Sequence, residues 1–552
     1  MTDKKHHLPD SENQVGGIHI GDVEGGIQAS TIAGRDVNVA QAERVYIQAA
    51  KVGAPLTPEQ RRELECLYLE RVAEKCCTLE TEGVDRTRVE LTEVFVMLEA
   101  VESPDRQAEA DVAAVPERSK EMGLRERAAT LFGRRKAEQE RRVVASFERR
   151  EAEREEPAPP PSPVPLSQAL EAHDHLVILG EPGTGKTTTL QFVALCFASE
   201  GRAQAGLDLD EARVPVRVTL REYDGTERLD RFIIRWLDLA YVPESLAQDW
   251  LAEGRLAILL DGLDEVPKAR RAAVAEAIER FAAIPEGCRC RILVTSRIAG
   301  YREGRRVGDN FGQYTIRPFA GPQDAQPYIV GWLRALKSLT RKVADEEAKA
   351  LLEAMEQQGG LRRVVSNPLL LRLAVAVYVE TGELACSRAE LYRRYVEEVA
   401  WKRAEAREQP RWSRRQIEAA LEAVAWALQT QGEQTATVLA TIVEKEVAGV
   451  ADSRELLDHL REWLGLLAVY GYEQGELFAF RHLTFQEYFV ARRLARAWFT
   501  DQEHAWRFLC PRLHHPPWRE PILLLAGMLG RVGATDLVRR ILRARSPYER
   551  CF

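Results

Sequence analysis

The sequence predicts an α/β fold with a parallel β-sheet, followed by a mainly helical region. Short apolar runs alternate with helical stretches in the middle of the chain, which is typical of strands buried in a parallel sheet. These runs begin at Leu176, Val214, Leu256 and Arg291. A glycine-rich loop joins the first run to a helix. Helical periodicity dominates after about Phe319, and the sequence of residues 466–483 predicts one β-hairpin that turns at residues 473–475.

Length and composition indicate a protein of several domains. The chain has 552 residues, which at roughly 150 residues per domain gives about three or four units and excludes a single small module. It contains 77 Lys and Arg against 85 Asp and Glu, a formal net charge of −8, and 45% of its residues are hydrophobic. This mild acidity argues against a surface that tracks nucleic-acid phosphates, so no general nucleic-acid binding is predicted.

Three features predict a cytoplasmic protein that does not span a membrane. The first 14 residues, MTDKKHHLPDSENQ, contain no apolar segment of the kind found in signal peptides. The longest apolar run, ILLLAGML from Ile522, is far shorter than the roughly 20 residues that a membrane helix needs. The nine cysteines are scattered through the chain without zinc-ligand spacing, which favours reduced thiols.

The chain before the α/β region divides into two parts. In residues 1–54, glycines recur about every nine residues with Ile and Val between them, which fits either short strands and tight turns or a flexible glycine-rich arm. Residues 55–165 form a lead-in with a helix capped by Thr57, a strand-like stretch from Arg88 and a tether of mixed charge. The proline-rich stretch at 157–165 is interpreted as an extended linker and the strongest domain boundary.

The glycine-rich loop satisfies the P-loop pattern G-x-x-x-x-G-K-[ST]. It follows a strand and opens a helix, the context that the pattern requires, so a chance glycine-rich turn is the weaker interpretation. Backbone N–H groups of such a loop surround phosphate oxygens at a helix N-terminus. Lys186 is predicted to bridge β- and γ-phosphates and Thr187 to bind Mg²⁺. The predicted nucleotide-binding residues are Gly180, Glu181, Pro182, Gly183, Thr184, Gly185, Lys186, Thr187 and Thr188.

Polar residues end the two later strands. Asp261 ends an apolar strand, where an acid would hold Mg²⁺ through water, and Glu265 or less readily Asp264 could position an attacking water. The alternative is an acidic turn that caps a helix. After the next strand, Arg297 could sense a γ-phosphate while Thr295 or Ser296 bonds the acids; a surface salt bridge is the alternative for the arginine.

Together, five motifs resemble those of NACHT-type ATPases, a signal-transducing branch of P-loop proteins that includes NOD-like receptors and bacterial relatives. The motifs are GEPGTGKTT, LLDGLDEVP, VTSRIAGY, SNPLLLRLAVAVY and FAFRHLTFQEYFVARRLA, and they span roughly residues 166–500. Gly262 and the following acidic pair separate this branch from AAA+ motors. The resemblance implies that Pro368 packs against adenine and that His482 reaches the β-phosphate of ADP.

The resemblance also implies a division of the chain. Its architecture gives a nucleotide-binding domain at 166–319, a helical domain at 320–408, a winged-helix domain at 409–498 and a helical tail at 499–552 that could begin a set of repeats. In this family, ATP, ADP and Mg²⁺ operate a slowly hydrolysing switch that oligomerises on activation by a trigger ligand. A bacterial setting suggests a phage or foreign component as that ligand, in antiviral defence. The alternatives are a continuously cycling AAA+ motor and an adaptor with a structural nucleotide.

Overall fold

The computed structural model describes most of the chain after residue 55. The described residues are 56–79, 89–103, 162–199, 202–209, 211–303, 306–308, 310–358, 361–450, 452–470 and 476–544. The glycine-rich segment, the charged tether, most of the proline-rich stretch and the predicted hairpin turn lie outside these residues.

The β-strands within the described residues form three sheets. They are β1 (Thr78–Leu79), β2 (Val89–Glu90), β3 (Glu99–Glu102), β4 (Val164–Pro165), β5 (His175–Leu179), β6 (Val214–Thr219), β7 (Leu256–Asp261), β8 (Arg291–Ser296), β9 (Gly312–Ile316), β10 (Gln434–Thr435), β11 (Leu467–Tyr470) and β12 (Leu477–Phe480). The largest sheet has the order β4-β3-β9-β5-β8-β7-β6.

The α-helices of the described residues precede, flank and follow this sheet. They are α1 (Pro58–Cys76), α2 (Leu91–Val94), α3 (Leu166–Ala172), α4 (Lys186–Ala198), α5 (Arg202–Leu207), α6 (Leu229–Asp238), α7 (Glu244–Glu253), α8 (Lys268–Ala283), α9 (Pro285–Arg289), α10 (Ile298–Glu303), α11 (Pro322–Lys337), α12 (Arg341–Gln357), α13 (Arg362–Val365), α14 (Pro368–Thr381), α15 (Arg388–Arg394), α16 (Trp401–Arg407), α17 (Arg414–Gln431), α18 (Ala436–Glu446), α19 (Ser453–His459), α20 (Leu483–Thr500), α21 (Gln502–Leu509), α22 (Arg519–Met528) and α23 (Gly530–Arg543).

The predicted parallel α/β sheet is confirmed. Strands β6, β7, β8 and β5 pair in parallel, and β9 adds a fifth parallel strand beside β5. The four strands predicted from apolar runs are almost wholly buried because helices cover both faces of the sheet. Strand β9, with the sequence GQYTI, was missed because it lacks a continuous apolar run.

The lead-in belongs to the same sheet as the α/β region, which the sequence did not predict. Strand β3 pairs antiparallel with β9 on one side and with β4 on the other. The proline-rich stretch at 157–165, interpreted as a domain boundary, therefore ends in a strand of this same sheet, since its last two residues form β4. The strand-like stretch predicted from Arg88 is confirmed only in part, because the helical turn α2 separates β2 from β3, which begins at Glu99.

Helix α1 packs the start of the lead-in against the α/β region. Thr57 caps it as predicted, with its hydroxyl accepting a hydrogen bond from the Gln60 N–H in a reciprocal capping box. On the buried face, the Tyr68 hydroxyl donates to the carbonyl of Pro215 at 2.8 Å, and its ring packs against Trp250. The lead-in is thus attached to the α/β region at the helix as well as at the sheet edge.

The region after Phe319 is mainly helical, as predicted, with one small sheet. Strands β11 and β12 pair antiparallel across the predicted hairpin, and β10 adds a third strand beside β12. Two π-helical turns, Tyr395–Ala400 and Leu460–Leu464, interrupt the helices. Among the described residues, no helix is long and apolar enough to cross a membrane.

Candidate functional site

The loop between β5 and α4 forms a cradle at the carboxyl end of the sheet. Gly185 precedes helix α4 with φ of +95° and Gly183 has φ of +77°, a backbone region that strongly favours glycine. A Cβ atom on Gly180 would come within 2.6 Å of the Thr184 hydroxyl, so this position has no room for a side chain. Thr184 is itself buried and donates to the Glu181 carbonyl at 2.9 Å, which fixes the loop.

Lys186 begins helix α4 and bends back over the loop. Its Nζ donates to the carbonyl oxygens of Gly180 at 2.8 Å and Glu181 at 3.0 Å. Burial lowers the pKa of Lys186 to about 8, against the opposing effect of the nearby Asp264 carboxylate. The ammonium group therefore stays mostly charged at neutral pH and is held where the loop curves.

The end of β7 lies opposite the start of α4. The Thr187 hydroxyl donates to Asp261 Oδ1 at 3.3 Å, and the Thr295 hydroxyl donates to the same oxygen at 2.6 Å. Thr295 also accepts a hydrogen bond from the Gly262 N–H at 2.8 Å. The sequence left open whether Thr295 or Ser296 makes a hydrogen bond to the acid. Thr295 makes it, whereas the Ser296 hydroxyl donates to the Arg297 carbonyl.

The acidic turn at Leu263–Glu265 contains an ion pair with the residue that follows β8. The Arg297 Nε lies 3.1 Å from Asp264 Oδ2, and the Arg297 backbone N–H donates to Asp264 Oδ1 at 2.8 Å. The Glu265 side chain is exposed on the cavity side, and partial desolvation by the protein around it raises its pKa. Asp264 is thus paired with Arg297, whereas Glu265 lines the cavity.

Helix α14 joins the cradle from the helical region. The Asn367 side chain caps this helix by accepting from the Leu370 N–H, and its Nδ2 donates to the Pro182 carbonyl at 2.8 Å. The Leu369 N–H donates to the Gly183 carbonyl at 3.1 Å. Pro368, at the first position of α14, consequently lines the cavity beside the loop. The bridging role of Asn367 was missed, although an Asn before a helix-starting Pro is a recognisable cap.

The segment between β12 and α20 closes the cavity on another side. His482 precedes α20 and lines the cavity with its neighbours from Arg481 to Thr484. Burial lowers the pKa of His482 to about 4, so its imidazole is neutral at physiological pH. His482, which the family resemblance singled out, therefore lines the same cavity as Lys186.

The lead-in supplies a further wall that the sequence did not reveal. Residues 94–96 and Leu98 line the cavity, and Phe95 stacks on Phe192 of α4 with ring centroids 3.8 Å apart. The Gln191 side chain of α4 donates to the carbonyls of Cys76 and Thr78, at 3.1 and 2.9 Å. No short motif marks these residues, because their role depends on the lead-in reaching the sheet.

Most of the predicted site residues meet in one cavity. Its lining includes Pro182, Gly183, Gly185, Lys186, Thr187, Thr188, Asp261, Asp264, Glu265, Arg297, Pro368 and His482. Gly180, Glu181 and Thr184 are not among the lining residues and instead shape the loop. Thr187 and Asp261 offer hydroxyl and carboxylate oxygens at one point, the ligand chemistry that Mg²⁺ prefers.

A glycine-rich loop on a buried strand, an acid at the end of a second strand and a helix N-terminus define a P-loop NTPase. Residues 174–335 match the family model of the NACHT domain. This part of the chain is therefore a NACHT-domain P-loop NTPase unit.

The solved structures that match this chain include one of low sequence identity. It is described as the Aeropyrum pernix ORC2 protein in ADPNP–ADP complexes, and it is 15% identical. The match covers 60% of this chain and 94% of that chain with a TM-score of 0.26, which is too distant to support an inference. No curated protein sequence matches this chain.

Proposed function

We propose that this protein is a nucleotide-operated signalling switch of the STAND type, which binds ATP or ADP with Mg²⁺ and changes its assembly state. One observation carries this proposal: the cavity of the P-loop is lined by His482, which comes from a separate part of the chain. A nucleotide bound there would contact both parts at once. Its release or exchange would change how firmly they are held together.

The proposal assigns roles to the parts of the chain. Residues 166–319 would form the nucleotide-binding domain, 320–408 the helical domain, 409–498 a winged-helix domain and 499–552 a helical tail. Two observations support this division. Helix α14 contacts the P-loop, and a small antiparallel sheet ends just before His482. Residues 1–54 and 55–165 would carry the state of the switch to an output.

The residues of the cavity suggest how each part of a nucleotide is held. Lys186 and the backbone N–H groups of the loop would bind phosphates, and Pro368 would pack against the base. Thr187 and Asp261 would hold Mg²⁺, which when bound neutralises phosphate charge and orients the phosphates. Glu265 would accept a proton from an attacking water, and Arg297 would exchange Asp264 for a γ-phosphate.

Slow hydrolysis suits such a device better than continuous cycling. Moving an equilibrium from 1:99 to 99:1 requires about 10⁴-fold differential binding, or about 5.5 kcal/mol. ADP held jointly by Lys186 and His482 would supply part of this for the closed form. The closed form would then persist until ATP replaces ADP, after which the protein would oligomerise.

We further propose a cytoplasmic role in bacterial defence against phage, triggered by a foreign component. This follows the NACHT assignment of residues 174–335 and the resemblance of the later motifs to NOD-like receptor relatives. The glycine-rich arm, a partner protein or both would provide the output.

Native mass spectrometry before and after exchange to a non-hydrolysable ATP analogue tests the switch. We expect an ADP-bound monomer to become an oligomer on exchange, and a Lys186→Ala variant to stay unassembled while Lys349→Ala, at an exposed position, behaves like wild type. Rapid multi-turnover hydrolysis without a change in assembly would instead support a motor. Assembly that is identical with ADP and ATP would support an adaptor.

A further inference from the structure

A second contact, away from His482, joins the nucleotide-binding region to the small-sheet region. It involves Glu433, which lies between α17 and β10 and follows Gly432, whose φ is +80°. The Glu433 Oε1 lies 3.4 Å from Arg221 Nε, and its Oε2 lies 3.8 Å from Arg270 Nη2. One carboxylate thus lies between two guanidinium groups of the nucleotide-binding region.

Both arginines lie beside the acidic turn of the site. Arg221 is in the 3₁₀ turn Leu220–Glu222 at the end of β6, and this turn packs against the turn at 263–265. Arg270 is in the first turn of α8, which follows that acidic turn. The Arg221 charge also opposes the rise in the pKa of Glu265, so the two groups interact electrostatically.

We propose that Glu433 is an interdomain clamp, which holds the small-sheet region against Arg221 and Arg270 in the ADP-bound form. The inference rests on the proposed switch, because a clamp has a function only if the two regions separate. Docking brings the carboxylate between the arginines and offsets two like charges that would otherwise face each other. Undocking would leave Arg221 beside the acidic turn, where its charge still acts on Glu265.

The exposure of the three side chains sets the strength of this clamp. Arg221, Glu433 and Arg270 are 23%, 25% and 33% exposed, so water screens the interaction only in part. The N–O distances are those of ion pairs rather than short hydrogen bonds. We therefore expect a moderate effect that increases when the charge at position 433 is reversed and weakens at high salt.

Release of a fluorescent ADP analogue, mant-ADP, from the full-length protein tests the clamp by stopped flow. Glu433→Gln should release the analogue about fivefold faster than wild type, and Glu433→Arg about tenfold or more faster. The double variant Glu433→Arg with Arg270→Glu should release the analogue more slowly than Glu433→Arg but faster than wild type, because it restores one opposite pair while Arg221 still faces the new arginine. Glu444→Gln, an exposed carboxylate on α18, is the matched control and should not change the rate.

The outcomes separate the clamp from the switch. Faster release in the Gln and Arg variants with partial recovery in the double variant supports the clamp. Wild-type release rates in both single variants would overturn it while leaving nucleotide binding intact. Equal acceleration in the single and double variants would also overturn it, since loss of local structure would then be the cause. If wild-type protein fails to bind mant-ADP at all, the proposed switch fails and the clamp fails with it.

Discussion

The two sides of the nucleotide cavity are built in different ways. On the phosphate side, the P-loop and the ends of β7 and β8 bring together residues from adjacent parallel strands, each in a short motif. On the closing side, the lead-in at 94–98 and the segment at 481–484 come from distant parts of the chain. We therefore propose that the phosphate side would provide most of the affinity for nucleotide, whereas the closing side would make that affinity depend on the conformation of the protein.

The largest expected effect lies on the phosphate side. Lys186→Ala removes the cation held in the curve of the loop, and we expect at least about 100-fold weaker ADP binding, because an unpaired phosphate charge costs several kcal/mol. Chromatography of the nucleotide released from purified protein measures this. Lys349→Ala should retain nucleotide as wild type does. Retention by the Lys186 variant would remove the basis for the division between the two sides.

A smaller effect is expected for the histidine on the closing side. His482→Ala should speed ADP release about 10- to 100-fold, since a hydrogen bond to a charged group contributes about 1.5 to 3 kcal/mol. The P-loop itself should still bind nucleotide. His504→Ala, an exposed histidine on α21, serves as the control. Unchanged release from the His482 variant would mean that this side does not sense ADP.

His482 on the closing side and Glu487, which lies further along α20, should respond oppositely to pH. The pKa of His482 is lowered to about 4, so its contribution to stability is present above about pH 6.5 and is lost as the pH falls toward 4. Burial raises the pKa of Glu487 to about 7, so its contribution is present below about pH 4.5 and is lost as the pH rises through 7. We expect Glu487→Gln to stabilise the protein by about 2 kcal/mol at pH 8 and not at pH 4. Thermal unfolding across this range measures the difference, and equal melting temperatures at pH 8 would contradict it.

The lead-in wall should show a moderate effect on stability. Phe95→Ala removes the stack on Phe192, and we expect a loss of about 1.5 kcal/mol in the free energy of unfolding together with weaker nucleotide binding. Phe95→Leu should retain part of the packing, so we expect it to lower the free energy of unfolding by about half as much as Phe95→Ala does. Denaturant titration with and without ADP separates the two effects. A Phe95→Ala variant that binds ADP as tightly as wild type would exclude the lead-in from the closing side.

The smallest effect is expected where the lead-in helix meets α7. Arg61 and Asp249 form an ion pair with both side chains more than a third exposed. Asp249→Asn should therefore change the free energy of unfolding by less than about 0.5 kcal/mol, because burial of Tyr68 rather than this pair holds the helix. A shift in melting temperature as large as that of Phe95→Ala would contradict this ranking.

The same contrast explains how much of the site the sequence could predict. Lys186 follows from the P-loop pattern, and Asp261 and Arg297 each follow from a strand that ends in polar residues; local spacing reveals both patterns. Residues such as Phe95 and Asn367 carry no such pattern, since their position depends on long-range pairing of β3 with β9 and on the docking of α14. His482 was reached only through a family resemblance, because a lone histidine at a strand end has no distinctive chemistry.

Hydrogen exchange of the full-length protein with and without ADP and Mg²⁺ tests the shared cavity most directly. We predict that ADP slows exchange in two separate segments, residues 180–188 around the P-loop and residues 478–486 around His482. Protection of the second segment should be lost in His482→Ala while protection of the first remains. Protection confined to residues 180–188 in the wild-type protein would contradict the claim that one nucleotide holds both sides together.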